Sequence, residues 1–177
     1  MNYVVDSYEN YKEENRLTTN NARRIEFVTT TRVLDEIIGT KSKILDCAAG
    51  TGIYAFWFAD KGHDVTATDI TPRHIDIINR TLTNKNYHMN TSVLDATDMS
   101  CFADDSFDIV LNMGPFYHLI TEEQREKCMK ECLRVLRKGG FWLLRTFQDT
   151  MFFNILLRAM KNIWMNTWRN NLLKLVC

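Results

Sequence analysis

Short apolar runs alternate along the chain with longer stretches in which apolar residues recur every three or four positions. The runs 42–47, 64–69, 90–94, 107–111 and 141–146 predict strands. The first is continuously apolar, which fits a parallel strand buried on both faces. Helical spacing predicts helices over 21–38 (Phe27, Leu34, Ile37, Ile38), over 52–61, and from Pro72 to near residue 84 (Ile75, Ile78, Leu82). A fourth helix is predicted over 122–136, with Cys128, Met129, Cys132, Leu133 and Leu136 facing inward. Thr71-Pro72 is an N-cap followed by proline at the first helical position. Gly39, expected in left-handed geometry, Gly62 and the pair Gly139-Gly140 act as stops. Strands alternating with helices predict an α/β fold, a doubly wound and mainly parallel sheet of about five strands with helices on both faces.

The two ends break this rhythm. The first twenty residues are polar and carry Tyr3, Tyr8 and Tyr11. They read as a solvated arm, with an aromatic lid as the alternative. From Met151 to Val176 the chain is apolar and basic, without an acid after Asp149, and predicts a helical C-terminal tail. The expected organisation is a cap or arm over 1–20, one domain over 21–147 and the tail over 148–177. Strand five is then an open edge, to be covered by the tail or by a second copy in a homodimer. A basic amphipathic tail lying on a membrane surface is a further reading.

Charge narrows the partners. Lys+Arg and Asp+Glu both number 22, so nothing electrostatic calls for nucleic acid. The five cysteines form no metal-spaced cluster, and Cys128 and Cys132, four apart, are expected as neighbouring core positions. Neither a signal peptide nor a bilayer-spanning apolar run is evident, so a cytoplasmic protein with reduced thiols is expected.

The chemistry concentrates in Ile44-Leu45-Asp46-Cys47-Ala48-Ala49-Gly50-Thr51-Gly52. A buried strand there turns through small residues into a helix, letting a ligand approach the backbone and the free N–H groups of the helix start. The next strand ends in Asp69, placed for ribose hydroxyls. Gly50-Thr51-Gly52-Ile53-Tyr54-Ala55 also fits the dinucleotide pattern G-x-G-x-x-A, so an NAD(P) oxidoreductase is an alternative. Against it stand Asp46, whose charge would meet a diphosphate, and Asp95-Ala96, where an acid can accept from an adenine amino group. Asn112-Met113-Gly114-Pro115 then follows the fourth strand at the carboxyl edge.

Together these motifs resemble a class I S-adenosylmethionine-dependent methyltransferase of the small-molecule type, with a Rossmann-like sheet. The resemblance runs over about 42–146, through the loop 45–52, Asp69, Asp95, Ser106-Phe107-Asp108-Ile109-Val110-Leu111 and the Gly139-Gly140 turn. It implies S-adenosylmethionine as cofactor. Ala48, Gly50 and Gly52 would pass beneath its methionine moiety and Asp46 would help hold the amino group. Asp69 would take the ribose hydroxyls in a bidentate contact, Ile70 would pack on adenine, Asp95 and Ala96 would read its edge, and Asn112 would lie near the methionine carboxylate. It also implies in-line attack of an acceptor on the sulfonium methyl, so that the enzyme chiefly aligns and desolvates. His118 and Tyr117 are the catalytic candidates, His118 as general base or as an orienting wall residue. No metal is implied, and a small-molecule acceptor is expected. Ala48 departs from the glycine of many members. So does the tail, since the family's sheet ends in an antiparallel hairpin beside strand five. A shortened chain that binds cofactor without turnover is therefore the alternative.

Overall fold

The computed structural model describes residues 3–9, 21–39, 41–83, 85, 87–148 and 151–158. In chain order these form α1 (Tyr3–Glu9), α2 (Asn21–Ile37), β1 (Lys43–Cys47), α3 (Ile53–Asp60), β2 (Asp64–Asp69), α4 (Pro72–Leu82) and β3 (Met89–Val93). There follow β4 (Phe107–Asn112), a 3-10 turn over Pro115–Tyr117, α5 (Glu122–Val135), β5 (Leu136–Gln148) and β6 (Met151–Arg158). One six-stranded sheet runs β3-β2-β1-β4-β5-β6. The pairs from β3 to β5 are parallel, as the alternating pattern predicts, and β6 is antiparallel to β5.

Side chains of β1 alternate between two cores. Ile44 joins Leu34 of α2, Tyr54, Ala55 and Phe58 of α3 and Ile75 and Ile78 of α4 on one face. Leu45 and Cys47 join Cys128, Met129, Cys132 and Val135 of α5 on the other. A strand buried on both faces needs apolar residues at consecutive positions, which is why β1 and β4 read as continuous runs. Cys128 and Cys132 are core residues, as their spacing predicts.

The structure corrects the reading in several places. The tail was expected to be helical, yet 151–158 is a strand whose register runs from Phe141 opposite Arg158 to Gln148 opposite Met151. Met-Phe-Phe-Asn-Ile-Leu-Leu-Arg has no clear period, and for so short an apolar run the open edge of β5 decides the conformation. The sheet therefore carries a sixth, antiparallel strand beside the five parallel ones expected. The remainder of the expected helical tail, 159–177, lies outside the described residues, as does 10–20 of the N-terminal arm.

Helix α5 stops at Val135, before the glycines. Residues 136–140 instead open β5 with an irregular pairing, Phe107 opposite Leu136 and Ile109 opposite Phe141. Gly139 is left-handed (φ 79°). A Cβ on Gly140 would sit 2.6 Å from the Asp108 carbonyl oxygen, so the pair serves a bulge rather than a helix stop. After α2 it is Lys41 (φ 56°) that is left-handed, and Gly39 is not. At the N-terminus, 3–9 of the expected arm is helical, and the Tyr3 hydroxyl donates to the His118 carbonyl at 3.2 Å.

Candidate active site

The parallel strands β1, β2 and β4 deliver their carboxyl ends to one edge of the sheet. The turn leaving β1 is built from left-handed residues, Ala48 (φ 60°), Gly50 (φ 57°) and Gly52 (φ 86°). Gly52 starts α3, and a Cβ there would meet Ile78 Cγ1 at 2.9 Å. Only glycine lets α3 lie this close to α4. Ala48 is the exception among the three, tolerating a conformation that costs an L-residue roughly 1 kcal/mol. Gly114, in the loop after β4, abuts it: a Cβ on Gly114 would lie 3.6 Å from the Ala48 oxygen and 3.8 Å from its Cβ. The loops after β1 and β4 thus meet.

Two buried carboxylates flank this turn. Asp69 is gripped by backbone: Oδ2 accepts from Gly50 N–H at 2.8 Å and Oδ1 from Thr71 N–H at 2.9 Å. The Ala49 N–H donates to Thr68 O, and Leu94 N–H to Asp69 O, so the turns after β1, β2 and β3 are stitched together. Asp46 is different. It is 2% exposed, receives a hydrogen bond from the Ala55 backbone, and its Oδ2 has no hydrogen-bond partner among the described residues. Burial, and to a lesser degree the charge of Asp69, push its pKa up to about 7. A buried acceptor lacking a donor marks a place where a ligand cation or donor gains most.

Residues 44–140 match the family model described as a methyltransferase domain. The chain belongs to this methyltransferase family. It is 30% identical over 102 residues to a glycine/sarcosine N-methyltransferase of Parasynechococcus marenigrum, covering 57% of this chain and 36% of that one. It is 32% identical over 149 residues to a demethylmenaquinone methyltransferase of Clavibacter sepedonicus, covering 84% of this chain and 57% of the relative. Among solved structures, a SAM-dependent methyltransferase of Methanosarcina mazei superposes with a TM-score of 0.61 at 25% identity, over 67% of this chain and 58% of that one. The chain therefore spans roughly a third to three-fifths of these relatives' lengths.

Within the methyltransferase domain the remaining candidates divide. Asp46, Ala48, Gly50, Gly52 and Asp69 lie together around the β1 turn. Ile70 follows directly and is half-buried, outside both cores. Asp95 is exposed and accepts from the Thr97 N–H and hydroxyl, both at 2.8 Å, which fixes its turn, and Ala96 packs on the α5-side core. Asn112 is not brought to Asp46. Its residue pairs in register with Cys47, and its amide donates to the sulfurs of Cys128 (3.2 Å) and Cys132 (3.3 Å) on the opposite face of the sheet. An odd-even difference along the strand explains this: the side chain that shares the Asp46 face belongs to Leu111. The main chain of Asn112 still ends β4 at the edge.

His118 and Tyr117 lie in the loop beyond, His118 half-buried, its pKa lowered by burial and raised in part by Asp69. Sequence reasoning missed Arg145. On β5 it is 2% exposed and makes a two-pronged ion pair with Glu26 of α2, one prong at 2.8 Å, while its guanidinium lies 5.6 Å from the Tyr117 ring centre. Phe27 of α2 stacks on Tyr54 at 5.3 Å. A single arginine inside the run Phe141-Trp142-Leu143-Leu144-Arg145 was the available signal, since an arginine in an apolar strand needs a buried partner. Among the described residues no His, Cys, Asp and Glu cluster has a metal site's arrangement, and no helix is long and apolar enough to cross a membrane.

Proposed function

We propose that the chain transfers a methyl group from S-adenosylmethionine to a small-molecule acceptor. The observation that carries this reading is the pair of buried carboxylates beside the left-handed turn, one held by a backbone donor on each oxygen and one with an oxygen that has no hydrogen-bond partner among the described residues. That donor set fits the cofactor better than it fits a dinucleotide. Asp46 would hold the ammonium group of the methionine moiety, where a diphosphate would be repelled. Asp69 would take ribose hydroxyls, and the Ala48–Gly52 backbone leaves room beneath the chain joining the two ends. Ile70, Asp95 and Ala96 would frame the adenine, and the main chain of Asn112, rather than its amide, would border the methionine end.

Bound there, the cofactor supplies an electrophilic methyl group on sulfonium sulfur. The protein's own task is alignment and exclusion of water. Helix α2, latched by Glu26 to Arg145, and α1, joined through Tyr3 to the 118 carbonyl, support an enclosed acceptor side rather than an open groove. Burial favours the neutral imidazole of His118, the form able to accept a proton from an acceptor N–H or O–H. Relatives named for glycine/sarcosine and for demethylmenaquinone make those the first acceptors to try.

The test is calorimetric titration of the full chain with S-adenosylmethionine, S-adenosylhomocysteine and NADPH, alongside Asp69→Ala. The first two should bind. The substitution should weaken them about a hundredfold, the worth of about two hydrogen bonds to a charged group. Binding of the nicotinamide cofactor alone would refute the reading. Binding without methyl release to any acceptor would reduce it to the cofactor site.

A further inference from the structure

The turn that carries Asp69 is fastened in an unusual way. Thr71 is the N-cap of α4, yet its hydroxyl makes no capping hydrogen bond and is buried without a hydrogen-bond partner among the described residues. What closes the turn is His74, two residues into the helix from Pro72. Its backbone N–H donates to Thr71 O at 3.0 Å, and its Nδ1 lies 3.2 Å from Asp69 Oδ1. The imidazole is 2% exposed and the carboxylate 6%. Both Asp69 oxygens already accept backbone N–H groups, so the contact is a donation from Nδ1–H. A buried histidine on the inner face of an amphipathic helix is ordinarily replaceable by an apolar residue. This one instead spends its donor on the carboxylate at the ribose position.

From this geometry we infer that His74 is a positioning residue for the nucleoside site, setting the Asp69 carboxylate for the ribose hydroxyls through the Nδ1–H to Oδ1 hydrogen bond. The inference rests on the reading of Asp69 as the ribose acid. Gly50 N–H fixes Oδ2 from the β1 turn, Thr71 N–H fixes Oδ1 from its own turn, and His74 fixes Oδ1 from α4. Gly50 and Thr71 hold one oxygen each, and His74 adds a second donor to Oδ1 from a different element, so that oxygen is fully occupied by protein. With four lone-pair directions on an ionised carboxylate, these donors leave one open, on Oδ2. Asp69 would then meet the ribose chiefly through Oδ2, one-sided rather than in the bidentate contact that the family resemblance implies.

The experiment compares wild type with His74→Leu, His74→Asn and His74→Gln. Affinities are measured for S-adenosylhomocysteine, adenosine and 2′,3′-dideoxyadenosine, and thermal melts check folding. Asn places an N–H where Nδ1 stands, whereas Gln places one farther out, near Nε2. His74→Leu should weaken S-adenosylhomocysteine and adenosine about tenfold and leave the dideoxy ligand within about twofold. His74→Asn should restore wild-type affinity to within about threefold, and His74→Gln should behave like His74→Leu. If leucine binds adenosine as wild type does, or if all three ligands weaken alike, the residue is packing and the inference falls. Should the leucine variant fail to fold, the comparison of Asn with Gln decides, and equal affinities overturn the proposal. If wild type binds none of the three ligands, the cofactor reading fails instead, a separate outcome.

Discussion

The ends of β1 and β2 carry the same side chain at the same depth, and they behave differently. Asp69 is met by Gly50, Thr71 and His74, so its two oxygens are fixed acceptors. Asp46, on the neighbouring strand, has a backbone hydrogen bond from Ala55 and an oxygen without a hydrogen-bond partner among the described residues, and its pKa rises to about 7. Burial alone therefore does not decide what a carboxylate does in a sheet edge. The supply of donors does. One acid is a rigid fixture. The other is a group whose proton is still negotiable at neutral pH and which a cationic ligand can displace.

Removing Glu26 should push a third charge into the condition of Asp46, only more severely. Glu26→Ala leaves the Arg145 guanidinium buried without its carboxylate and should cost about 4 kcal/mol in urea unfolding. The double variant Glu26→Leu with Arg145→Met should recover most of that. A cost under about 1 kcal/mol would mean that water reaches the pair and that the contrast between supplied and unsupplied charges is weaker than drawn.

Asp46 itself gives a reversed pH dependence. Its folded pKa is raised from 3.8 to about 7, so the folded state favours the protonated form and loses stability as pH climbs between those values. Asp46→Asn should accordingly stabilise at pH 8, by at most about 4 kcal/mol, and do little at pH 4. In wild type, S-adenosylhomocysteine binding should strengthen roughly tenfold from pH 5.5 to 8 as the carboxylate ionises to meet the ammonium, and Asp46→Asn should flatten that slope. A flat profile in wild type would show that Asp46 finds a donor in solution and is more like Asp69 than the structure indicates.

The smallest effect belongs to the turn between them. Ala48→Gly removes the left-handed strain at φ 60° and should stabilise by about 1 kcal/mol in thermal melts, less the entropy that glycine adds to the unfolded chain. Destabilisation would mean that the Ala48 methyl contact with the Gly114 loop outweighs the strain.

How much of this could be read from residues alone follows from distance along the chain. The β1 turn, Asp69 and the parallel strands are local patterns, in which apolar runs end in acids and glycines within a few positions. The edge strand 151–158 was not legible because an apolar run without a period takes its conformation from the neighbour that pairs with it. The direction of the Asn112 side chain was not legible for a related reason: spacing gives the strand's end but not which side its last residue faces. His74 stood in plain view within a helical pattern, yet its importance lies in a contact with a residue five positions earlier that helical spacing does not announce.

The pair of Glu26 and Arg145 joins positions 119 apart, and that separation orders the assembly of the molecule. During synthesis Glu26 emerges long before its partner and stays hydrated, as a buried lone carboxylate is too costly. The β1–β2 turn, by contrast, closes over 19 residues, between Gly50 and Asp69. The cofactor half can therefore form early from nearby contacts, and α2 can join it through Leu34 and Phe27, whereas the Glu26 latch closes only once β5 is in place. Arg145 acts as a signature of completion: until it arrives, Glu26 has no partner and α2 is unlatched.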